Sequence, residues 1–183
     1  ASKIKNPNNL FDGQTLFGKL TQETVVFKEY GVNFSANVIK GHKTGYFLDH
    51  RQNRYAIGKL AKGKTMLDVF SYAGGFSVHA LTNGAKEVTS LDISKQALEV
   101  AQKNVLLNSF SGKHNTICDD AFTGLHKLIN EKKKFDIVVV DPPSFAKNQK
   151  EIEGAKNSYR RLTKLGVKLV KQKGILVLAS CSS

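Results

Sequence analysis

From residue 64 onward, short apolar runs alternate with longer amphipathic stretches. Thr65–Phe70, Val88–Ile93, Asn115–Cys118, Phe135–Asp141 and Gly174–Ser180 read as strands. Ile137 to Val140 is apolar without a break, as in a strand buried on both faces. Helices are predicted over Gly75–Thr82, from an N-cap at Ser94 to about Asn108, over Asp120–Glu131 and over roughly Glu153–Gln172. Ala97, Ala101 and Val105 recur one helical turn apart, and Leu125, Leu128 and Ile129 form an inward stripe, as do Leu162, Leu165 and Leu169. Strands alternating with helices predict an α/β domain, a doubly wound parallel sheet with right-handed crossovers, over residues 63–183.

The pattern upstream is different. Residues 1–20 are rich in Asn, Gly and Lys with weak periodicity and read as a partly ordered leader, docked by Phe11, Leu16 and Phe17. Val25 and Phe27 fall on one face at a spacing of two, as do Val32, Phe34, Ala36 and Val38, with a turn at Glu29-Tyr30-Gly31. A second turn at Gly41-His42-Lys43 leads to an extended Tyr46-Phe47-Leu48. A helix follows, N-capped by Asp49 and ended before Gly63, with Ala56 and Leu60 on one face. Residues 1–62 are thus an antiparallel β extension with a linking helix. A sheet ending on the apolar 174–180 strand would leave an apolar edge, so the domain is expected to be C-terminally truncated.

Charge adds a partner. Lys and Arg number 28 against 15 Asp and Glu, a net charge of +13. That excess predicts a polyanion, most simply nucleic acid, with a solvated lysine-rich surface as the alternative. No apolar run approaches the ~20 residues of a membrane span, and no signal-peptide pattern opens the chain. No strongly amphipathic basic helix with bulky aromatics stands out, which argues against a membrane surface. Cys118 and Cys181 are the two cysteines. They form no disulfide framework and no metal-ligand spacing, and suit a reducing, cytoplasmic setting.

The chemistry gathers where strands end. Asp141-Pro142-Pro143 stops the 135–141 strand, because proline lacks an N–H and fixes φ. In open α/β sheets ligands bind at this end of the strands. The first strand delivers LDVFSYAGGFS, with Asp68, Ser71, Tyr72 and Gly74, its glycines admitting a ligand close to the backbone. The spacing is not GxGxxG, so a dinucleotide pyrophosphate is poorly supported. Asp92, followed by Ile93, ends the second strand and can accept both hydroxyls of a ribose. Asp119-Asp120 ends the third, and with Phe122 could flank an adenine, the acid taking its exocyclic amine. Single acids at helix N-termini are weak signals. Four strand-end acids beside a Gly-Gly turn fit a nucleoside cofactor without a pyrophosphate, which points to S-adenosylmethionine.

LDVFSYAGGFS, SLDIS, DDAF and DPPSFAK resemble the class I S-adenosylmethionine-dependent methyltransferases. With GHKTGYFLDHRQNR (Gly41–Arg54) and ASCSS, the chain is similar to the bacterial ribosomal RNA large subunit methyltransferase I family. The resemblance runs from about Glu29 to the last residue and implies a Rossmann-like methyltransferase fold acting on carbon 5 of a cytosine in 23S ribosomal RNA. That family usually carries a PUA RNA-binding domain ahead of the catalytic one, and residues 1–28 are not expected to supply it.

Carbon 5 of cytosine needs activation, which a thiolate added to carbon 6 supplies. By the resemblance Cys181 matches the nucleophile; a buried structural cysteine is the competing reading. Cys118, on an apolar strand, reads as core. Asp141 is a candidate to hold the cytosine amine and N3 edge, against a carboxylate that only orders its loop. It also belongs to the cofactor set, with Arg51, which either clamps the methionine carboxylate or forms a surface salt bridge. Pro142, Pro143, Phe145 and Lys147 are the substrate-side candidates; Phe145 either stacks on an extruded base or plugs the core. Lys156, Arg160, Arg161, Lys164, Lys168, Lys171 and Lys173 either line an RNA backbone or form a solvated face.

Three other readings stand beside this one. The first is transfer to a base nitrogen, which would leave Cys181 without a task. The second is a non-catalytic nucleic-acid-binding module. The least favoured is an NAD-dependent oxidoreductase. A homodimer is left open.

Overall fold

The computed structural model describes residues 14–19, 21–41, 45–146 and 148–180. Seven strands and five α-helices follow in order. A hairpin comes first, β1 (Thr24–Glu29) and β2 (Val32–Asn37), paired antiparallel from Thr24↔Asn37 to Glu29↔Val32. It turns at Tyr30-Gly31, as its sequence predicts, with both residues at positive φ. Helix α1 (Arg51–Leu60) then leads into the alternating part.

That part runs β3 (Thr65–Val69), α2 (Gly75–Thr82), β4 (Glu87–Asp92), α3 (Lys95–Leu106), β5 (Lys113–Cys118), α4 (Ala121–Asn130), β6 (Phe135–Val140), α5 (Ile152–Leu169) and β7 (Val170–Leu178). The five strands form one sheet in the order β5-β4-β3-β6-β7, and every neighbouring pair is parallel. Chain order reverses between β3 and β6, the crevice where open sheets hold ligands. The doubly wound parallel sheet and its antiparallel extension are therefore as the sequence predicts.

Pleating divides the core. Met66, Val88, Ile137 and Val139 face one side, where they meet Phe76, Val78 and Leu81 of α2, Val105 of α3, and Phe34 of the hairpin. Leu67, Val69, Leu91, Val138 and Val140 face the other, against Leu125 and Leu128 of α4 and Leu162, Leu165 and Leu169 of α5. Polar pairing ties the hairpin down. Asn104 of α3 accepts from Ser35 N and Ser35 Oγ at 2.8 and 2.7 Å and donates to Ala73 O at 3.0 Å, inside the β3–α2 turn.

Three local expectations are corrected. Tyr46-Phe47-Leu48 is not a strand; Gly45 turns left-handed at φ 80° and Tyr46 folds back against Phe27 and Phe34. His50, not Asp49, is the residue before α1, and no side chain caps that helix. Ala56 and Leu60 are exposed, while Arg54 and Gly58 face inward. The reason is close approach: a Cβ at Gly58 would lie 2.9 Å from His79 O, so α1 rests directly on α2.

Candidate functional site

The strand ends at the reversal are knitted together. Asp141 N donates to Val69 O at 3.3 Å, and Ala179 N donates to Val140 O at 3.0 Å. In register, Val69 stands beside Val140, and Val140 beside Leu178. The β3 turn, Asp141 and the chain leaving β7 therefore share one edge of the sheet. Ser180 Oγ donates to Tyr159 Oη at 3.1 Å, which fixes the exit of β7 against α5. Cys181 and Lys147 lie outside the described residues.

The β3–α2 turn is strained where it passes this edge. Phe70 and Tyr72 take φ of 64° and 46°, a region that bulky residues seldom occupy. Phe70 N and Ser71 N both donate to Leu91 O, at 2.9 and 3.1 Å. Ser71 is buried and its Oγ has no hydrogen-bond partner among the described residues. Such an orphan is costly unless a ligand satisfies it.

Asp92 ends β4 with its carboxylate already aimed. Tyr72 N donates to Oδ2 at 2.8 Å and Ser94 N to Oδ1 at 2.9 Å. Each oxygen keeps a lone pair, the arrangement needed to accept the two hydroxyls of a ribose. Ile93 follows at 71% exposure, an apolar surface beside that carboxylate. Asp120 N-caps α4: its Oδ1 accepts from Phe122 N and Thr123 N at 3.0 and 3.2 Å, and Oδ2 is left for a ligand. Phe122 stands in the first turn of α4, its ring covered by the Arg161 guanidinium at 4.4 Å.

Two sequence-predicted roles change. Asp68 is 1% exposed and accepts from Ser77 N at 3.1 Å and Ser77 Oγ at 2.7 Å, so it holds the start of α2 rather than a ligand. The glycines of the turn serve packing. Gly74 sits at φ 77° and a Cβ there would lie 2.9 Å from Ala101 Cβ; at Gly75 it would meet Arg54 Cδ at 2.7 Å.

Asp141 is partly buried, and burial raises its carboxyl pKa, an effect reinforced by Asp49 and opposed by His50 and Arg54. His50 Nε2 stands 3.6 Å from Asp141 Oδ1. Asn53 Nδ2 lies 2.9 Å from His50 Nδ1, on the side of the ring away from Asp141. The sequence reading passed over His50 entirely.

It also passed over the cluster beneath. Arg54, 4% exposed, donates from Nε and Nη2 to the two oxygens of Glu29, at 2.8 and 2.7 Å. His79 Nε2 meets Glu29 Oε1 at 2.9 Å, and Tyr46 stacks under the guanidinium. Arg51, by contrast, lies exposed over the Tyr30 ring at 5.3 Å, with no ion pair among the described residues. Phe145 packs edge-on against Tyr159 at 5.1 Å on the α4–α5 core, as its core reading has it. Pro142 is buried and Pro143 exposed. Cys118 is not core. It is exposed at the end of the edge strand β5, its thiol 3.6 Å from Ile93 O.

Burial, with Asp141 and Asp92 as neighbouring anions, pushes Asp68 up to about 7. A folded-state value above the unfolded ~3.9 means that the folded protein holds the extra proton, so stability falls as pH rises through about 4 to 7. Asp68→Asn removes this titration. Its urea midpoint is expected to fall less than the wild type's between pH 5 and 8, the difference amounting to at most ~4 kcal/mol. Equal falls would mean that Asp68 titrates alike in both states.

The orphaned Ser71 Oγ, the pre-aimed Asp92, the apolar Ile93 and the free edge of Asp120 fit an adenosyl group, and the raised carboxyls of Asp68 and Asp141 favour a positive charge nearby. Comparisons agree. The family model described as S-adenosylmethionine-dependent methyltransferase matches residues 13–182. A ribosomal RNA large subunit methyltransferase of Deinococcus radiodurans is 45% identical over 175 residues, 95% of this chain and 43% of that protein. Ribosomal RNA large subunit methyltransferase I of an Enterobacter is 40% identical over 169 residues, 92% of this chain and 43% of its own. The chain thus spans less than half the length of these relatives. A candidate S-adenosylmethionine-dependent methyltransferase from Streptococcus mutans superposes with a TM-score of 0.77 at 28% identity, over 89% of this chain and 43% of that one.

Proposed function

Because the chain belongs to the S-adenosylmethionine-dependent methyltransferase family, and so takes S-adenosylmethionine as its cofactor, we propose that it methylates carbon 5 of a cytosine in large-subunit ribosomal RNA through Cys181. One observation supports this most: the β3 turn, Asp141 and the end of β7 lie side by side, hydrogen-bonded in sequence across the sheet edge. A cofactor held at β3 and β4 is then close to the edge where β7 ends, and Cys181 follows Leu178 by three positions in the sequence.

Ser71, Asp92, Ile93 and Asp120 would hold the adenosyl group. S-adenosylmethionine supplies an electrophilic methyl on a cationic sulfur. The chain supplies the rest. The Cys181 thiolate adds to carbon 6, and the electron pair of the 5,6 double bond moves onto carbon 5, with N3 taking a proton. Asp141, its pKa raised by burial, carries that proton to N3 and grips the exocyclic amine. His50 Nε2 faces the carboxylate left behind and, when it carries the ring proton, stabilises its charge. Carbon 5 would then take the methyl group as the bond from that methyl to the sulfonium sulfur breaks; loss of the carbon 5 proton to a base re-forms the 5,6 double bond and expels the thiolate, and N3 returns its proton to Asp141. The buried Glu29–Arg54–His79 cluster sets α1 against α2 and so places His50 beside Asp141.

The product nucleoside tests this. Digestion of a 23S transcript after incubation with the protein and S-adenosylmethionine is expected to yield 5-methylcytidine by mass spectrometry. A methyl found on a base nitrogen would replace the carbon 5 reading.

A further inference from the structure

Lysine and arginine are unevenly placed. Between residues 121 and 173 there are thirteen of them against five Asp or Glu. This segment builds the α4–α5 layer. On α5, Lys156, Arg160, Arg161, Lys164 and Lys168 are exposed, while Leu162, Leu165 and Leu169 are buried on the sheet. Lys156 pairs with Glu153 at 2.7 Å and Lys171 with Asp136 at 3.0 Å. Lys127, Lys132, Lys133, Arg161, Lys164 and Lys168 have no ion pair among the described residues. Unmatched cations on one face repel each other unless an anion lies across them.

The same face carries a groove. Phe122, Thr123, His126, Lys127 and Asn130 of α4 line it, Glu131 is the one acid on its wall, and Arg161 of α5 closes it, around a volume of about 580 Å³. The Arg161 guanidinium lies over the Phe122 ring, 4.4 Å from its centroid. Phe122 is two residues past Asp120, so the groove opens at the strand-end edge that holds the candidate site. Lys132 and Lys133 stand at its far end, after α4.

We propose that the α4–α5 groove carries the phosphate backbone of single-stranded RNA toward the strand-end site, with the Arg161–Phe122 pair as a stacking platform for one of its bases. This rests on RNA being the substrate. Guanidinium and aromatic planes stack unpaired bases regardless of sequence, and free cations along a groove track a backbone. A lipid surface fits less well, because the large apolar residues exposed on α5 are only Ile152 and Val167.

Binding of a fluorescent single-stranded RNA, followed by anisotropy across a salt series, tests the track. The triple variant Lys127→Ala, Arg161→Ala, Lys164→Ala is compared with a control at the opposite ends of the strands, Lys62→Ala, Lys86→Ala, Lys113→Ala, both checked for unchanged melting. Loss of two phosphate contacts, together with the Arg161 half of the stacking platform, is expected to flatten the slope of log affinity against log salt by about 1.4 and to weaken binding about tenfold or more near 100 mM salt. The control is expected to keep the wild-type slope. Equal losses in the two triples, or none in the first, would overturn the track while leaving RNA as substrate. A wild type that takes up S-adenosylmethionine by calorimetry yet binds no RNA would overturn the substrate reading itself. Binding to anionic vesicles in place of RNA would give the face to a membrane.

Discussion

Cys181→Ala is expected to abolish methyl transfer into a 23S transcript while leaving S-adenosylmethionine binding unchanged. Without the thiolate, carbon 5 of cytosine has no electron-rich form to present, and the remaining residues can position the ring but not activate it. Removing a covalent nucleophile commonly costs about 10⁴-fold or more in turnover. The residues proposed for the adenosyl group stand in the β3–α2 turn, at the end of β4 and at the start of α4, and Cys181 is not among them, so calorimetric affinity for the cofactor is expected to match the wild type. Transfer of tritium from labelled S-adenosylmethionine measures the first quantity. Turnover within tenfold of wild type would remove Cys181 from the chemistry.

Glu29→Ala and Arg54→Ala are each expected to destabilise the fold by about 3–5 kcal/mol, since the first strands the buried Arg54 guanidinium and the second leaves the buried Glu29 carboxylate with His79 and Tyr46 but no guanidinium. That is a large share of the 5–15 kcal/mol typical of a whole domain. Replacing both, as Glu29→Leu with Arg54→Met, is expected to cost less than either single change, because no charge is stranded. Urea unfolding of the singles and the double measures this; an additive double would mean that the pair is not coupled.

The same cluster sets an acid limit. Although burial opposes it, hydrogen bonds from Arg54 and His79 hold the Glu29 carboxyl below its ordinary value. Stability from a lowered carboxylate is present above the unfolded pKa and is lost as pH falls through the folded one. Burial lowers His79, so the unfolded chain takes up that proton first as pH falls. Both groups therefore weaken the fold on acidification, His79 beginning near its unfolded value of about 6.5. Asp68 works in the opposite direction between about pH 4 and 7, which makes Asp68→Asn the variant that exposes the acid limb most clearly.

Much of the layout was legible in the chain because it depends on local pattern. The apolar run before Asp141, the Ser94 cap and the leucine stripe of α5 each act within a few residues, and each lies where the local pattern puts it. What escaped depends on partners distant in sequence. Arg54 was invisible as an inward residue because periodicity counts apolar side chains, whereas a guanidinium is buried when a carboxylate matches it, and that carboxylate, Glu29, looked like part of a turn. The His50–Asp141 approach joins the start of α1 to the end of β6, which no spacing signals. Cys118 ends the mostly polar run KHNTIC, and β5 is an edge strand with one neighbour, so its strand assignment did not imply burial. Gly74 and Gly75 were rightly marked as special, but for close packing on Ala101 and Arg54.

The most direct test uses a transcript carrying 5-fluorocytidine, whose fluorine cannot leave as the carbon 5 proton does. The protein is incubated with it and S-adenosylmethionine, denatured, and mapped by peptide mass spectrometry. The predicted result is a stable adduct on the peptide containing Cys181, increased in mass by a methylated fluorocytidine. Methylated RNA recovered with no protein attached, or an adduct on Cys118 instead, would contradict it.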